Sequence, residues 1–268
     1  MIVVKAGGSE GLDREAVCCD VAELVKEGEQ VILVHGGSHE TNTISEKLGH
    51  PPRMVTSASG HVSRYTDRET LEIYAMVTGG RINKLLVERL QQLGVNAIGL
   101  SGLDGRLLEG KRKAALRIVE DGKTKVLRGE YSGIIERAND GLLLILLGGG
   151  YTPVVAPLAI SYESEAVNVD GDRAAAAIGS ALKCQSLVIL SNVPGLLREV
   201  HDETSLICHI PLTQAQEHLD CYARGRMKRK LLGAIEALQD GVGRVIIADG
   251  RVSQPVRRAL SGQGTVIE

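Results

Sequence analysis

The chain has 268 residues, of which 43% are hydrophobic and 24% charged, as in an ordinary soluble globular protein long enough to bury a large core. It contains no Trp, no Phe and only six Tyr, which excludes an aromatic platform on which single-stranded nucleic acid could stack. The formal net charge of −2 gives no overall attraction to nucleic acid or to a membrane, so we expect neither as a partner.

Cysteine usage and the N-terminus predict a cytoplasmic protein. The five cysteines are odd in number and form no C-x-x-C pair, which favours free thiols in a reducing compartment over a disulfide framework or a zinc site. An apolar strand begins at Ile2 and leaves no room for a signal peptide. The longest apolar run, residues 142–147, is far below the ~18 residues that span a bilayer.

Short apolar runs closed by small residues alternate along the chain with stretches of helical period. The runs predict buried strands at Ile2–Lys5, Val31–His35, Asn96–Leu100, Pro153–Ala156, Leu187–Leu190 and Arg244–Ala248. The periodic stretches predict helices at Asp13–Glu27, Asp67–Leu93, Arg137–Leu147, Gly171–Leu182 and Arg226–Gln239. This alternation indicates an α/β fold, a three-layer αβα sandwich with a mainly parallel central sheet.

Residues 102–133 interrupt this rhythm. Short alternating runs at 106–109, 115–119 and 125–128 are separated by turn residues that include Asp121-Gly122, which predicts a β-hairpin insert. Between residues 106 and 128 there are eight Lys or Arg (106, 111, 112, 113, 117, 123, 125 and 128) against three acids (109, 120 and 121). Such a run is usually a solvated face. The alternative is a basic rim that steers an acidic partner toward the site.

No flexible linker or internal repeat divides the sequence, so we expect a single domain over residues 1–268. The weakest boundary lies near Tyr162–Glu165. It separates two α/β halves, residues 1–162 and 163–268.

Two apolar strands run into paired glycines before a helix, in Val4-Lys5-Ala6-Gly7-Gly8 and in Val34-His35-Gly36-Gly37. Paired glycines let backbone N–H groups approach an anion closely, although each pair taken alone is equally well read as a tight turn. Lys5 sits inside the first strand, where a buried ammonium needs a partner or an anionic ligand. The plain alternative is a lysine whose ammonium reaches solvent.

Two later segments add charge and polar groups. Lys230 lies in the basic stretch of residues 225–230, at a predicted helix start where the helix dipole disfavours cations. A solvated basic turn explains that stretch equally well. Asn168 and Asp172 frame a loop that either caps the next helix or places an amide and a carboxylate at a site. Neither a G-x-x-x-x-G-K-[ST] loop nor a G-x-G-x-x-G fingerprint follows the first strand, which argues against a P-loop NTPase and a Rossmann dehydrogenase.

Taken in order, these segments resemble the amino-acid-kinase family, and within it the N-acetylglutamate-kinase branch. The resemblance covers essentially the whole chain and is carried by residues 5–8, 35–37, 63–67, 168–172, 190–195, 225–230 and 249–251. The versions at 49–53, 63–73, 99–106 and 225–230 are most similar to kinases that phosphorylate carrier-protein-linked 2-aminoadipate in lysine biosynthesis. Ser38-His39 follow Gly37 where N-acetylglutamate kinases usually have a third glycine and a proline, so the acyl pocket is expected to differ.

The resemblance assigns roles to individual residues. It implies that Lys5 and Lys230 bind the transferred phosphoryl group and that Asp172 holds both lysines. The remaining roles are phosphate binding by Gly7 and Gly8; substrate binding by Gly36, Gly37, Arg64 and Asn168; and nucleotide binding by Ser191, Gly195, Leu196, Gly225 and Met227. The first half would take the acyl substrate and the second half ATP, with Mg²⁺ carried by the nucleotide rather than by dedicated metal ligands.

The reaction implied is ATP-dependent phosphorylation of a carboxylate. The acceptor carboxylate has a reference pKa of about 4, so it is already ionised at neutral pH and needs no general base. The expected partner is a small acidic amino-group carrier protein, and a homodimer is expected from the family and the apolar helix at 67–93. Alternatives are N-acetylglutamate kinase, a carrier-linked glutamate kinase of arginine biosynthesis, and a non-catalytic nucleotide-binding protein of the same fold.

Overall fold

The computed structural model describes residues 1–57, 60, 62–120 and 123–268. The strands in chain order are β1 (Ile2–Ala6), β2 (Val31–His35), β3 (Met54–Thr56), β4 (Val62–Arg64), β5 (Ala97–Ser101), β6 (Leu108–Arg112), β7 (Ala115–Glu120), β8 (Lys123–Arg128), β9 (Gly133–Ala138), β10 (Thr152–Ala156), β11 (Leu158–Ser161), β12 (Ala166–Asn168), β13 (Ser186–Ser191), β14 (His209–Ile210), β15 (Arg244–Asp249) and β16 (Thr265–Ile267).

The helices in chain order are α1 (Arg14–Lys26), α2 (Ser38–Lys47), α3 (Arg68–Ala75), α4 (Asn83–Gln92), α5 (Asp140–Gly148), α6 (Gly171–Leu182), α7 (Ala215–Cys221), α8 (Gly225–Gln239) and α9 (Pro255–Leu260). A π-helical segment, Met76–Ile82, joins α3 to α4, and short 3₁₀ turns lie at Asp104–Arg106, Glu203–Ser205 and Leu212–Gln214. None of the described helices is both long and apolar enough to cross a bilayer.

An eight-stranded sheet forms the centre of the molecule, in the order β14-β16-β15-β13-β1-β2-β10-β5. Its pairs are parallel except for β15 with β16, which run antiparallel. Strand β1 pairs with β2 on one side and with β13 on the other, so the two halves of the chain share one sheet. The carboxyl ends of β1, β2 and β13 therefore open onto one edge, the usual place for a ligand in a parallel α/β sheet.

Alternate residues of the central strands feed two separate aliphatic cores. Val3 of β1 joins a core with α5, α6, α7 and α8 on one face of the sheet. Val4 joins a core with α1, α4, α9 and the π-helical segment on the opposite face. This follows from the two-residue side-chain period of a strand, and it confirms the three-layer αβα sandwich with a mainly parallel sheet.

Smaller sheets flank the carboxyl edge of the central one. One has the order β12-β11-β6-β9, and two hairpins are formed by β3 with β4 and by β7 with β8. The hairpin insert is therefore confirmed, and β7 pairs with β8 from Ala115 opposite Arg128 to Glu120 opposite Lys123. The predicted turn at Asp121-Gly122 lies outside the described residues. The proposed division after Tyr162 falls in the connection between β11 and β12, which pair with each other.

The elements agree with the predictions in the sheet and differ mainly around the insert. Strand β2 and helix α6 have the predicted bounds, the other five predicted strands differ by one residue at one or both ends, and β14 and β16 were not predicted. The predicted helix Arg137–Leu147 is wrong at its start, because residues 137 and 138 belong to β9 and the helix begins at Asp140 after the cap Asn139. Asn139 accepts a hydrogen bond from the backbone N–H of Leu142, which fixes that start.

Candidate active site

Two lysines distant in sequence meet one carboxylate at the carboxyl edge of the sheet. Lys5 lies in the central strand β1, and its Nζ is 2.7 Å from Oδ1 of Asp172. Lys230 lies in α8, and its Nζ donates to Oδ2 of Asp172 at 2.7 Å. Asp172 is in the first turn of α6, which Asp170 begins by accepting the backbone N–H groups of Asp172 and Arg173. The three side chains predicted to act together are thus in direct contact.

The three charges are buried, and their pKa values respond accordingly. The Lys5 and Lys230 side chains are only 7% and 10% exposed, and that of Asp172 is 13% exposed. Burial by itself raises the pKa of Asp172, but the two ammonium groups outweigh burial and hold this pKa well below its usual range. Burial, and then repulsion by Lys5, lower the pKa of Lys230. Two ammonium groups beside one carboxylate give the site a net positive charge, which an anionic ligand can neutralise.

The two glycine turns touch each other backbone to backbone. A Cβ on Gly8 would lie 2.4 Å from the backbone nitrogen of Gly37, and one on Gly36 would lie 2.5 Å from that of Gly8. The Gly8 carbonyl also accepts the backbone N–H of His39 at 3.0 Å and the hydroxyl of Ser38 at 3.1 Å. Glycine is needed at both turns because no larger residue allows this approach.

The Gly36 N–H already donates to the Ala6 carbonyl at 2.8 Å. This bond joins the ends of β1 and β2, so the Gly36 N–H is already used within the scaffold. Gly36 nevertheless lines the cleft together with Gly37.

His35 belongs to the scaffold beneath this turn. It is fully buried, and burial lowers its pKa to about 4, so the ring is neutral. Its Nδ1 lies 3.1 Å from the Gly36 carbonyl oxygen, and its Nε2 lies 3.2 Å from the amide nitrogen of Asn83. That amide also donates to the carbonyls of Leu100 and Val154, which ties β2, β5 and β10 together. The neutral ring and the amide satisfy buried polar groups.

Arg64 reaches the same cleft from β4 and is incompletely paired. Its NH2 donates to the Ser38 carbonyl at 3.0 Å, and its guanidinium lies 5.9 Å from the ring centre of Tyr74. Within the described part of the chain, Nε and NH1 are buried and have no hydrogen-bond partner. Burial lowers the pKa of Arg64, although a guanidinium stays charged at neutral pH. Nε and NH1 point to different sides of the guanidinium, since a bidentate fork pairs either of them with NH2, and NH2 is already bonded to Ser38.

Asn168 lies at the end of β12 beside the Arg64 segment. Its amide nitrogen donates to the Thr66 hydroxyl at 3.1 Å, and its backbone N–H donates to the Tyr131 carbonyl at 2.8 Å. The side-chain carbonyl oxygen of Asn168 takes part in neither of these two bonds. The structure therefore places Asn168 on the wall of the cleft.

A cleft of about 680 Å³ joins these groups. Its lining includes most of the predicted phosphoryl-binding and acyl-binding residues: Lys5, Gly8, Gly36, Gly37, Arg64, Asn168, Asp172 and Lys230. Gly7 lies at the back of the turn, where a Cβ would be 3.9 Å from Lys5 Nζ. Among the described residues, no group of three or more His, Cys, Asp or Glu could hold a metal ion.

The predicted nucleotide residues are not part of the lining of this cleft. Ser191 ends β13, and its carbonyl accepts the Gly250 N–H at 2.7 Å. Gly195 has a φ of +157°, and the backbone N–H of Leu196 donates to the Thr265 hydroxyl at 2.8 Å. Gly225 is the first residue of α8 with a φ of +51°, and Met227 is half-buried in the same turn.

Sequence reasoning did not single out two further cations of the cleft, Arg226 and Arg229. Arg226 NH1 donates to the hydroxyl of Ser9 at 3.3 Å, which links α8 to the first glycine turn. Arg229 NH1 lies 4.0 Å from the Asp170 carboxylate. The available signal was the position of Arg226, three residues before Arg229 and four before Lys230, since residues three and four apart share a helix face.

The fold and these converging cations define a class of protein: an αβα sandwich whose cleft, at the carboxyl edge of the sheet, is built to hold an anion. Residues 1–249 match the Amino acid kinase family, and the chain belongs to that family.

Several kinases are similar to this chain over its full length. Over 267 residues the chain is 59% identical to "[LysW]-aminoadipate kinase" of Deinococcus radiodurans, covering 100% of this chain and 91% of the relative. It is 57% identical to the protein of that name from Thermus thermophilus over 269 residues, covering 100% of both. Identity is 40% over 272 residues to "[LysW]-aminoadipate/[LysW]-glutamate kinase" of Saccharolobus islandicus, covering 100% of this chain and 99% of the relative.

Solved structures agree with the fold at lower identity. N-acetylglutamate synthase from Neisseria gonorrhoeae superposes with a TM-score of 0.80 at 24% identity, over 99% of this chain and 58% of the synthase. Carbamate kinase from Giardia lamblia superposes with a TM-score of 0.68 at 17% identity, over 99% of this chain and 97% of that kinase. Both show the shared fold.

Proposed function

We propose that this protein is an ATP-dependent kinase that phosphorylates the side-chain carboxylate of L-2-aminoadipate held on a carrier protein, as a step of lysine biosynthesis. The observation that carries the proposal is the contact of Lys5 and Lys230 with Asp172 inside the cleft. The high identity to kinases named for LysW-linked aminoadipate over their full length supports the choice of substrate.

Electrostatics is the main difficulty of the reaction. A carboxylate anion must approach the γ-phosphate of ATP, and the two anions repel each other. The net positive charge of the two lysines and Asp172 in the cleft reduces that repulsion. One carboxylate oxygen forms a bond to the γ-phosphorus, the bond from that phosphorus to the β,γ-bridging oxygen breaks, and ADP leaves with the electron pair. No proton moves in this step, so positioning and charge neutralisation supply the catalysis. We assign Lys5 and Lys230 to the transferred phosphoryl group, and Asp172 to holding their ammonium groups in place.

The acyl substrate fits the Arg64 side of the cleft. The Arg64 guanidinium keeps two donors unpaired and suits the α-carboxylate of the substrate as a fixed charge and single donor, and Asn168 suits its amide. The glycine turns at Gly7, Gly8 and Gly37 suit the phosphate oxygens, because their backbones can approach an anion closely. In this arrangement the acceptor carboxylate lies between Arg64 and the two lysines.

We place ATP over the second half of the chain, beside Ser191, Gly195, Leu196, Gly225 and Met227. Mg²⁺ in this proposal arrives bound to the nucleotide phosphates, as is usual for a cation that keeps several of its waters. The division into an acyl half, residues 1–162, and an ATP half, residues 163–268, is approximate, since Asn168 comes from the second half and serves the first.

A side-by-side assay tests the substrate. Purified protein is given ATP with carrier-linked aminoadipate, carrier-linked glutamate, free aminoadipate or N-acetylglutamate, and ADP release is measured with hydroxylamine trapping of the acyl phosphate. We expect carrier-linked aminoadipate to have the highest kcat/KM. A preference for carrier-linked glutamate would move the protein to arginine biosynthesis, and a preference for N-acetylglutamate would make it an acetylglutamate kinase. ATP binding without turnover of any substrate would leave a non-catalytic nucleotide-binding protein.

One methylene separates the two carrier-linked acids. A methylene in a pocket is worth about 1–3 kcal/mol, so the two rates are expected to differ by a factor on the order of ten to a hundred. The 40% identical relative carries both names, and a dual role is therefore the second candidate function.

The carrier is proposed to approach over the β7–β8 hairpin. Of the eight cations between residues 106 and 128, four form internal ion pairs: Arg106 with Glu109, Lys111 with Glu136, Arg112 with Glu165, and Lys125 with Glu120. In the described part of the chain, the remaining four, Lys113, Arg117, Lys123 and Arg128, are exposed and make no ion pair. By the strand register, Arg117 lies opposite Val126 and Ala115 opposite Arg128, so both arginines share the outer face. Lys113 lines the cleft itself.

Reversing Arg117, Lys123 and Arg128 to Glu is expected to lower kcat/KM for carrier-linked substrate at least tenfold, while a free acyl amino acid changes less than twofold. The physical reason is that a basic rim speeds the encounter with an acidic protein and is felt less by a small molecule. The matched control reverses Lys26, Lys47 and Lys183, which are exposed and lie outside the cleft lining. Equal losses for both substrates, or for both triple variants, would count against the docking surface.

We also propose a homodimer, as the family resemblance implies, and a cytoplasmic location, which the free cysteines support. Met76 and Leu85 are 58% and 49% exposed on the helical segment that runs from α3 to α4, and they offer an apolar face to a second copy. Sedimentation of the purified protein measures its mass, and a monomer at micromolar concentration would refute the dimer.

A further inference from the structure

A buried carboxylate outside the lysine cluster has both of its oxygens occupied by backbone groups. Glu130 is 1% exposed and lies between the β7–β8 hairpin and β9. Its Oε1 accepts the backbone N–H of Ser132 at 3.0 Å, and its Oε2 accepts that of Thr66 at 3.4 Å. Burial raises the pKa of Glu130, whereas the two backbone donors favour its ionised form. The phosphoryl transfer described above makes no use of this charge.

The two bonded segments are opposite parts of the acyl side of the cleft. Thr66 follows Arg64 by two residues, and its hydroxyl accepts the amide of Asn168 at 3.1 Å. Ser132 and Gly133 line the cleft. Two more bonds join the same segments: the Tyr131 N–H donates to the Thr66 carbonyl at 2.7 Å, and the Asn168 N–H donates to the Tyr131 carbonyl at 2.8 Å. Glu130 thus sits behind both residues assigned to the acyl substrate.

The insert connects to the same point. Arg112 Nε donates to the Glu130 carbonyl at 2.8 Å, its NH1 bonds Glu165, and its guanidinium lies 3.6 Å from the ring centre of Tyr131. The Tyr65 hydroxyl donates to the Arg128 carbonyl at 2.6 Å. These contacts fix the base of the hairpin against the segment that bears Arg64. A change at Glu130 would therefore move the acyl wall and leave the ATP half in place.

We propose that Glu130 is a positioning residue that sets the distance between the Arg64–Thr66 segment and the Tyr131–Gly133 segment, and through them the grip of Arg64 and Asn168 on the acyl substrate. The inference rests on the proposed function for its substrate. It assigns Glu130 no contact with the reacting atoms, so its effect falls on binding of the acyl substrate rather than on ATP.

Glu130→Gln is the test, because the amide keeps the size of the side chain and places an NH₂ group against one of the two backbone donors. We expect KM for carrier-linked aminoadipate to rise at least tenfold and KM for ATP to stay within twofold. Asp20→Asn is the matched control. Asp20 is also 1% exposed and accepts two backbone N–H groups, those of Val256 and Arg257 at 2.7 and 3.1 Å, but it lies between α1 and α9 away from the cleft.

A merely structural role predicts that both variants lose thermal stability and that neither changes one KM selectively. Unchanged KM values in Glu130→Gln, or equal rises for both substrates, would overturn the proposal. Glu130→Asp keeps the charge but has a shorter side chain, and its KM values are compared in the same way if the glutamine variant does not fold.

A double variant tests whether Glu130 acts through Arg64. Combined with Arg64→Lys, the Glu130→Gln effect on KM is expected to be less than multiplicative, since both changes act on one contact. Independent, fully multiplicative effects would contradict action through Arg64.

The proposed function and the proposed role of Glu130 are refuted by different results. Wild-type protein that transfers no phosphoryl group to carrier-linked aminoadipate would refute the substrate. Active wild-type protein whose Glu130→Gln and Asp20→Asn variants show the same KM values would refute only the role of Glu130.

Discussion

Replacing Lys230 or Lys5 with alanine is expected to lower kcat a hundredfold or more while the fold stays intact. Each ammonium contacts Asp172 in a cleft with little solvent and is placed where charge builds up during phosphoryl transfer. Removal of one such preorganised donor typically costs about 3–4 kcal/mol of transition-state stabilisation. Steady-state ADP release with saturating ATP and carrier-linked aminoadipate measures the effect, and circular dichroism checks the fold.

Lys228→Ala provides the matched control for Lys230. Lys228 lies in the same turn of α8, is exposed and does not line the cleft, so its loss is expected to change kcat less than twofold. Near-normal turnover in purified Lys5→Ala or Lys230→Ala protein would remove the basis for the proposed function. Equal losses in Lys228→Ala and Lys230→Ala would indicate a general effect of charge on α8 rather than a role at the phosphoryl group.

Asp172→Asn is the second large change that we expect, with a loss of kcat of at least a hundredfold. The asparagine keeps the shape of the side chain but leaves two buried ammonium groups beside each other without a counter-charge. Burial and repulsion by Lys5 already lower the pKa of Lys230, and loss of the Asp172 carboxylate lowers that pKa further. Lys230 then loses its proton more readily, and with it the charge that stabilises the transferring phosphoryl group.

The sign of the pH dependence follows from that lowered pKa. An ammonium group is retained below its pKa and lost as the pH rises through it, so the residual activity of Asp172→Asn is expected to increase toward lower pH. In the wild-type protein Asp172 is ionised and the same dependence is expected to be weaker. Asp170→Asn is the control, since asparagine also caps a helix well and the Asp170 carboxylate raises the pKa of Lys230 less than Asp172 does, so a smaller change of the pH profile is expected. A flat pH profile for Asp172→Asn would argue against the assigned coupling.

The regular part of the fold could be read from local patterns. The apolar runs at β1, β2, β13 and β15 predicted buried parallel strands, because a strand covered on both faces needs apolar residues along its whole length. The helices α1, α6 and α8 followed from their period and, for α1, from the cap Asp13. Around the insert this reasoning was weaker, since short alternating runs do not say where β9 ends and α5 begins.

The candidate site divides in a similar way. The residue types at positions 5, 172 and 230 suggested ionic chemistry, and their order along the chain carried the family resemblance. The sequence did not anticipate that the Gly36 N–H is used to join β1 to β2, that Gly8 and Gly37 touch, or that Arg226 and Arg229 face the cleft. Each of these depends on the position of a neighbour that is distant in sequence.

The sequence by itself determined the αβα class, the central strands and the kind of chemistry, because side-chain period and residue type are local properties. Only the tertiary structure decided that Lys5 and Lys230 share the oxygens of Asp172, that Arg64 keeps two donors unpaired, and that Glu130 lies behind the acyl wall. The physical reason is that the strand order places β1 beside β13 and the start of α6 beside α8. Contacts between such segments are set by the packing of whole layers, which no local pattern encodes.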